Sequence, residues 1–149
     1  MGKIAGVVIG IIIFLVIFFF FPFDSLLGLI STNHKATIVD ATIVVPPGQY
    51  VSYTATPPYD SNNCKIEGTF SVSGGNDDIR VYVVDQYGLS QLKAGSQFNA
   101  YFSTPQQVGG NIVVNIPCEK TVYLVYDNAF SIITNKKVTT KVDLIYNKQ

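Results

Sequence analysis

The sequence predicts an all-β protein, an antiparallel β-sandwich of seven to nine strands preceded by one N-terminal transmembrane helix. The helix is indicated by an apolar run without a charge from Ile4 to Phe21. The strands are indicated by short runs rich in β-branched and aromatic residues, which begin at Thr37 and alternate apolar with polar side chains. Clusters of Gly, Pro, Asn and Asp separate these runs at the spacing typical of a sandwich.

The apolar run, together with Pro22 and Phe23, is long enough as a helix to cover a hydrocarbon core of about 30 Å. A cleaved signal peptide is the alternative, but the apolar core of such a peptide is only about 7–15 residues long. The residues that follow the run also offer poor cleavage geometry. We therefore expect an uncleaved signal-anchor.

Three segments follow from this pattern. We expect a transmembrane signal-anchor at residues 1–24, a juxtamembrane tether at residues 25–36 and a single β-sandwich domain at residues 37–149. Lys3 precedes the apolar run and Asp24 follows it, so the positive-inside rule favours a domain outside the cytoplasm. The expected localisation is a single-pass membrane protein with an extracytoplasmic C-terminal domain.

Each predicted strand places alternate residues on one buried face. The inward-facing sets are, in order, Val39, Ala41, Ile43 and Val45; Val51, Tyr53 and Ala55; Ile66, Gly68, Phe70 and Val72; Ile79, Val81 and Val83; Ile112, Val114 and Ile116; Val122, Leu124 and Tyr126; and Val138, Thr140, Val142, Leu144 and Tyr146. Around Tyr87 to Thr104 the pattern is weaker and predicts a loop, with a short strand near Phe98 to Phe102. No segment after the anchor predicts a helix.

The chain has two cysteines, Cys64 and Cys118, and both lie in the predicted β domain. Outside the cytoplasm such a pair is more often bridged than free, so we predict a disulfide. In a chain-entropy model a loop of this length stabilises the domain by roughly 4 kcal/mol. Two buried thiols in a reducing compartment are the alternative.

Three stretches share a pattern that goes beyond a generic sandwich. They are Ile66 to Val72, Asn76 to Ile79, and Thr121 to Ser131 followed by Lys136 to Val138. In this order and spacing they resemble the GOLD domain, the lumenal β-sandwich of Golgi cargo-receptor proteins, over roughly residues 37 to 146. The resemblance implies a jelly-roll-like sandwich that recognises proteins or faces lipids.

The chain also departs from that family. The cargo receptors carry the domain first, then a coiled coil and a C-terminal membrane helix, whereas here the predicted anchor is N-terminal and no heptad segment is present. Leu124 occupies a strand position where the receptors have a bridging cysteine. We therefore carry over the fold and not vesicle cargo sorting, and expect a lone, N-terminally anchored, prokaryotic version of the domain.

Asp127, Asn128 and Ser131 form the corner at which the resembling strand leaves the sheet. Asp and Asn side chains accept hydrogen bonds from nearby backbone N–H groups and tolerate left-handed dihedral angles. Ser131 offers a further hydroxyl for the same turn. We predict that these three residues are structural, rather than ligands.

The sequence offers little catalytic chemistry. The single histidine, His34, lies in the predicted tether, and a catalytic triad or a zinc site needs more partners than one histidine and two cysteines provide. Lysine and arginine balance aspartate and glutamate, so the sequence has no basic stripe for nucleic acid. We predict that the protein is not an enzyme and binds no cofactor, metal or nucleic acid.

Four aspartates are the remaining candidates for metal ligands. Asp60, Asp77, Asp78 and Asp85 are able to supply oxygen ligands to calcium, but their spacing is not that of a calcium loop. Turn formation explains them more simply. A membrane-anchored hydrolase would require Asp78 and Asp85 to converge on a bound metal.

Tyrosine is the most informative side chain for binding, because it is amphipathic and loses little entropy when it is held in place. Tyr59, Tyr82 and Tyr87 are the candidates for an exposed binding face, with Tyr50 and Tyr101 as further members. The simpler alternative is that these residues only cover strand faces.

Together these features predict a non-enzymatic, membrane-anchored binding or adaptor module that presents a β-sandwich outside the cytoplasm. Its expected partners are the membrane, through the N-terminal helix, and a protein of unknown identity, with a lipid or glycan as the other candidate ligands. The alternative is a pilin-like subunit of a surface filament or membrane assembly. Against that alternative, the apolar run has no early glutamate and no basic leader precedes it.

Overall fold

A computed structural model of the chain describes residues 32–148, so the predicted signal-anchor at residues 1–24 lies outside the described residues. The elements are β1 (Asn33–Val45), β2 (Tyr50–Ala55), β3 (Ser61–Ser73), β4 (Arg80–Val84), α1 (Gln86–Lys93), β5 (Phe102–Ser103), β6 (Gly109–Asn115), β7 (Val122–Asp127) and β8 (Lys136–Lys148). Within residues 32–148 no helix has the length and apolar character needed to cross a membrane.

The strands form two four-stranded sheets, which confirms the predicted all-β antiparallel sandwich. The first sheet has the order β1-β8-β3-β6 and the second has the order β2-β7-β4-β5. Every pairing between neighbours is antiparallel. The chain changes sheet at each connection except the one from β4 to β5, so most hydrogen-bonded neighbours are distant in sequence.

The core lies between the two sheets and is built from the predicted inward faces. Its members include Val39, Val45, Ala55, Ile66, Phe70, Ile79, Val81, Val83, Ile112, Ile116, Val122, Leu124, Tyr126, Val138, Val142 and Leu144. Ala41 is the exception, since it is exposed although it was predicted to face inward. It lies on β1, which is an edge strand of its sheet.

β1 begins at Asn33, inside the segment that was predicted to be a tether. Asn33 pairs with Asn147 and Ala36 pairs with Leu144, because β8 continues to Lys148 and offers its edge to these residues. Residues 33–36 show no apolar alternation, so the sequence pattern did not reveal the strand. His34, which was expected in the tether, stacks on Tyr146 with ring centroids 5.5 Å apart.

The prediction that no helix follows the anchor was wrong, because α1 covers part of the outer face of the second sheet. Asp85 caps its N-terminus by accepting a hydrogen bond from the Gly88 amide at 2.8 Å. A Cβ atom at Gly88 would lie 3.0 Å from Val84 Cβ, so the glycine lets α1 approach the sheet. The predicted strand near Phe98 to Phe102 shrinks to the two residues of β5.

The strand registers place the connections at two ends of the sandwich. Asn33 pairs with Asn147 at one end of the first sheet, and Val45 pairs with Lys136 at the other. The β1–β2, β3–β4, β5–β6 and β7–β8 connections gather at this second end, which we call the loop end. The first strand therefore starts at the end of the domain opposite these four connections.

Candidate functional site

The candidate site lies beside α1, on the outer face of the second sheet. Val84, Val125 and Leu89 form a small apolar cluster there, separate from the main core. Partly buried side chains pack around this cluster, namely those of Tyr50, Tyr82, Leu92, Phe98 and Tyr123. The cluster fixes α1 and the segment after it against the sheet, and thereby shapes the surface next to them.

A cleft of about 410 Å³ opens between this helix and the loop end. We call it the aromatic cleft, and its walls include Tyr50, Tyr82, Leu92 and Phe98, with Arg80, Lys93 and Asp127 as its charged residues. Tyr82 and Phe98 meet edge to face, with ring centroids 5.2 Å apart and ring planes at 83°. This geometry is the favourable one for an aromatic pair and holds both rings in place.

A second depression, of about 660 Å³, lies on the other side of Phe98. It is lined by Tyr87, Gln97, Phe98 and Asn99. Tyr87 is 70 % exposed and projects from the first turn of α1. Phe98 thus separates two concave surfaces, one that contains Tyr82 and one that contains Tyr87.

The aromatic cleft contains two cationic side chains, Arg80 and Lys93, and Arg80 is only loosely paired with Asp127. Arg80 Nη1 lies 3.9 Å from Asp127 Oδ2, at the limit of an ion pair, while Asp127 Oδ1 accepts a hydrogen bond from the Ala129 amide at 2.9 Å. Burial raises the pKa of Tyr82, an effect that Arg80 opposes and Asp127 supports. At neutral pH the cleft therefore offers a neutral tyrosine hydroxyl beside a guanidinium group that is able to take a second acceptor.

The corner formed by Asp127, Asn128 and Ser131 lies next to the cleft. The Asn128 side chain is fully buried and donates hydrogen bonds to the carbonyl groups of Val45, Pro46 and Thr134 at 3.0, 3.1 and 2.9 Å. Ser131 Oγ donates to the Thr134 carbonyl at 3.1 Å. These contacts join the end of β7 to the β1–β2 turn and to the start of β8.

The left-handed dihedral angles expected at this corner occur elsewhere. Among the described residues, positive φ outside glycine is found at Asp60, Asn63 and Asp77. Asp127 and Asn128 therefore act through side-chain hydrogen bonds rather than through an unusual backbone conformation.

The three tyrosines predicted to form one binding face do not lie together. Tyr82 and Tyr87 flank Phe98, and Tyr82 is partly covered rather than fully exposed. Tyr59 is 92 % exposed but lies in the connection between β2 and β3, outside both depressions. Tyr101, a further candidate, is 37 % exposed.

Sequence reasoning missed Phe98 and Arg80, which line the aromatic cleft. A signal for α1 was present, since Asp85 precedes an octapeptide with Leu89 and Leu92 at a spacing of three. Phe98 comes five residues after the end of α1 and lines both depressions.

Three of the four aspartates that were weighed as calcium ligands have a structural partner, and the fourth, Asp60, has a left-handed φ of 60° in the connection between β2 and β3. Asp77 Oδ1 accepts from the Gly74 amide, Asp78 pairs with Lys136 at 2.6 Å, and Asp85 caps α1. Asp78 and Asp85 lie beyond opposite ends of β4, so they do not converge as a hydrolytic site would need. Within residues 32–148, no three His, Cys, Asp or Glu side chains gather as a metal site would require.

The predicted disulfide between Cys64 and Cys118 is confirmed. It joins β3 to the connection between β6 and β7, at the end of the domain where β1 begins. The Ile116 amide donates to the Cys64 carbonyl at 2.9 Å beside it. Compared with models of known protein families and with curated proteins, the chain gives no match to either.

Proposed function

We propose that this protein is a non-enzymatic recognition module, held by an N-terminal signal-anchor at the outer side of a membrane, whose aromatic cleft binds a protein partner. The observation that carries the proposal is the grouping of Tyr50, Tyr82, Phe98 and Arg80 around one cleft. Tyrosine, phenylalanine and arginine are enriched in protein interfaces, and tyrosine and arginine dominate their binding energy.

We further propose that the domain is a GOLD-like sandwich of the jelly-roll class. The order β1-β8-β3-β6 facing β2-β7-β4-β5 supports this, because an eight-stranded jelly roll interleaves its strands between two sheets in this way. The motif that ends in Asp127 and Asn128 supports the GOLD resemblance, since the corner joins the β1–β2 and β7–β8 connections of the sandwich. The jelly-roll class includes lectin domains, which keeps a glycan as the second candidate ligand.

Recognition would begin at Tyr87, the most exposed aromatic side chain beside Phe98. A partner side chain that enters the aromatic cleft would pack on Tyr82 and Phe98, and a carboxylate or carbonyl group of the partner would accept from Arg80. β2 lies at the edge of the second sheet and carries Tyr50 at the cleft. An extended partner segment is able to add to this edge with its side chains directed to the cleft.

The test compares two exposed tyrosines, only one of which lies beside the cleft. Tyr87→Ala and Tyr59→Ala both replace side chains that are at least 70 % exposed, so neither should unfold the domain. Tagged full-length chains would be purified from solubilised native membranes, and the co-purifying proteins would be quantified. We expect Tyr87→Ala to lose the partner and Tyr59→Ala to retain it. Retention by Tyr87→Ala would show that the partner does not contact the depression beside Phe98, and retention by Tyr82→Ala, which alters the cleft itself, would refute the cleft as the binding site.

A further inference from the structure

The connection between β7 and β8 carries two isoleucines that are almost fully exposed. Ile132 is 91 % and Ile133 is 86 % exposed, and no large aliphatic side chain among the described residues is more exposed. They lie at the loop end, in a segment of eight residues, 128–135, that contains no charged side chain. We call Ile132 and Ile133 the isoleucine tip. Exposing two adjacent large aliphatic side chains is unfavourable in water, since neither is shielded by the rest of the domain.

The base of this connection is fixed. The buried Asn128 side chain donates to the carbonyl groups of Val45, Pro46 and Thr134. From the opposite side, the Gly48 amide is shared between the carbonyl oxygens of Asn128 and Ser131, at 3.1 and 2.9 Å. The segment that presents the isoleucine tip is therefore held in one conformation by the rest of the domain.

Phe130 forms a second anchor beneath the tip. The guanidinium carbon of Arg80 lies 4.9 Å from the centre of the Phe130 ring, and the ammonium nitrogen of Lys136 lies 5.9 Å from it. Lys136 is itself buried and bonds Asp78 at 2.6 Å, so its position is fixed. Two cations thus hold the ring by cation–π contacts, and the isoleucine tip is preorganised at little further entropic cost.

The polar backbone on both sides of the tip is already hydrogen-bonded within the loop. The Ser131 amide donates to the Asn128 carbonyl at 3.1 Å, and the Thr134 amide donates to Ser131 Oγ at 3.2 Å. The Thr134 carbonyl accepts from Asn128 Nδ2 and from Ser131 Oγ. These groups, which flank the tip, therefore lose little when water is removed from around them.

From these observations we propose that the isoleucine tip inserts into the interface of a lipid bilayer. The small apolar area of the tip favours a lipid bilayer over a protein as its binding partner. Two isoleucine side chains offer on the order of 200 Å² of apolar surface, whereas a stable protein interface buries about 800 Å² on each partner. A protein would also need a cavity shaped to a protruding loop, whereas a bilayer interface adapts to apolar side chains that enter it.

Two bilayers are tested separately: the one that holds the chain's own N-terminal segment under the proposed function, and a second one that is added to it. The chain contains no tryptophan, so Ile133→Trp creates a single fluorescent reporter at the tip. Val113→Trp is the matched control, because Val113 is 61 % exposed but lies on β6. Full-length variants would be reconstituted in phosphatidylcholine vesicles. Brominated phosphatidylcholine, a contact quencher, would be placed in those vesicles or in protein-free vesicles added afterwards.

We expect the Ile133→Trp reporter to be quenched in one of the two arrangements while the Val113→Trp reporter is not. Adding Ile132→Ser to the Ile133→Trp chain should lower the ratio of inserted to free tip about tenfold and remove most of the quenching. Absence of quenching in both arrangements would overturn the proposal. Vesicle clustering that requires protein on both vesicle populations, without quenching, would also overturn it and would identify a second copy of the chain as the occupant.

Discussion

At the scale of single residues, Tyr126 shows how a polar group is accommodated in the core. Its ring is fully buried and lies edge-on to Phe70 and Tyr53, with ring centroids 6.4 Å apart in both pairs. Its hydroxyl bonds Thr140, which in turn donates to the Thr69 carbonyl at 3.0 Å. The buried hydroxyl is thus satisfied, as a core position requires.

Tyr126 should make the domain sensitive to alkaline pH. Burial raises the pKa of Tyr126 to about 12, and the hydrogen bond to Thr140 only partly opposes this. In the unfolded chain the pKa is about 10, so above that pH the unfolded state loses the proton first and stability falls until about pH 12. Between pH 9 and pH 11 this residue alone should lower the free energy of unfolding by about 1.4 kcal/mol.

The measurement is urea unfolding of the wild type and of Tyr126→Phe at neutral pH, at pH 9 and at pH 11. At neutral pH the variant should lose about 1 kcal/mol with its hydrogen bond. Between pH 9 and pH 11 the free energy of unfolding of the variant should fall less than that of the wild type. An identical pH dependence in both chains would contradict the assignment to Tyr126.

Asn128 is the second residue with a sharp expected effect. Asn128→Ala removes hydrogen bonds to three carbonyl groups, at Val45, Pro46 and Thr134, from a fully buried position. We expect a loss of about 2–4 kcal/mol in the free energy of unfolding. Asn76→Ala, in the exposed connection between β3 and β4, is the matched control and should change stability by no more than about 0.5 kcal/mol. Equal effects in thermal or urea unfolding would show that the corner is not structural.

At the scale of elements, the strands were predictable and the helix was not. The alternation of apolar and polar residues revealed the inner faces of β3, β4 and β7. Each of these strands lies between two hydrogen-bonded neighbours, and one of its faces packs against the opposite sheet. α1 has only eight residues and contains a glycine, so its helical preference is weak and its position depends on packing against Val84 and Val125. Leu92 and Lys93 of α1 form part of the aromatic cleft, so the cleft was not predictable without the helix, and Phe98 and Arg80 were missed although Tyr82 was predicted.

Gly88→Ala tests the packing of α1. Alanine has the higher helix propensity, by about 1 kcal/mol. The new Cβ would nevertheless lie 3.0 Å from both Val84 Cβ and the Asn99 carbonyl oxygen, neither of which is the flexible end of a side chain. We expect a net loss of about 1 kcal/mol in the free energy of unfolding, together with weaker partner capture.

Ser90→Ala, at an exposed position of the same helix, is the control and should change stability by no more than about 0.5 kcal/mol. Urea unfolding of the two variants side by side makes the comparison. A Gly88→Ala chain more stable than the wild type would mean that α1 is free to move away from β4.

At the scale of the whole molecule, the disulfide is the longest-range covalent constraint among the described residues. It links positions 54 residues apart and closes a loop that contains β4, α1, β5 and β6. Reduction should lower the free energy of unfolding by about 4 kcal/mol, since the unfolded chain regains the entropy of that loop. Urea unfolding with and without reductant measures the change, and a chain with Cys64→Ser and Cys118→Ser should not respond to reductant. A wild-type midpoint that is indifferent to reductant would contradict this role.

The sequence also limited what was predictable about the whole molecule. The sandwich followed from strand count and alternation, but the sheet orders arise from contacts between residues far apart in the chain, such as Tyr50 with Asp127 or Lys65 with Ile145. Patterns among residues that are close together in the sequence do not indicate such long-range pairings. The isoleucine tip was not predicted either, because only the folded structure shows that Ile132 and Ile133 are exposed.

The central claim is that the chain acts as an anchored recognition module. The most direct measurement is affinity capture of the tagged full-length protein from solubilised native membranes, with mass spectrometry of the proteins that accompany it and of its own N-terminus. Our account predicts a defined partner and a mature chain that retains Met1 or Gly2. Self-association alone, with a trimmed N-terminus, would contradict it and would favour a pilin-like filament subunit.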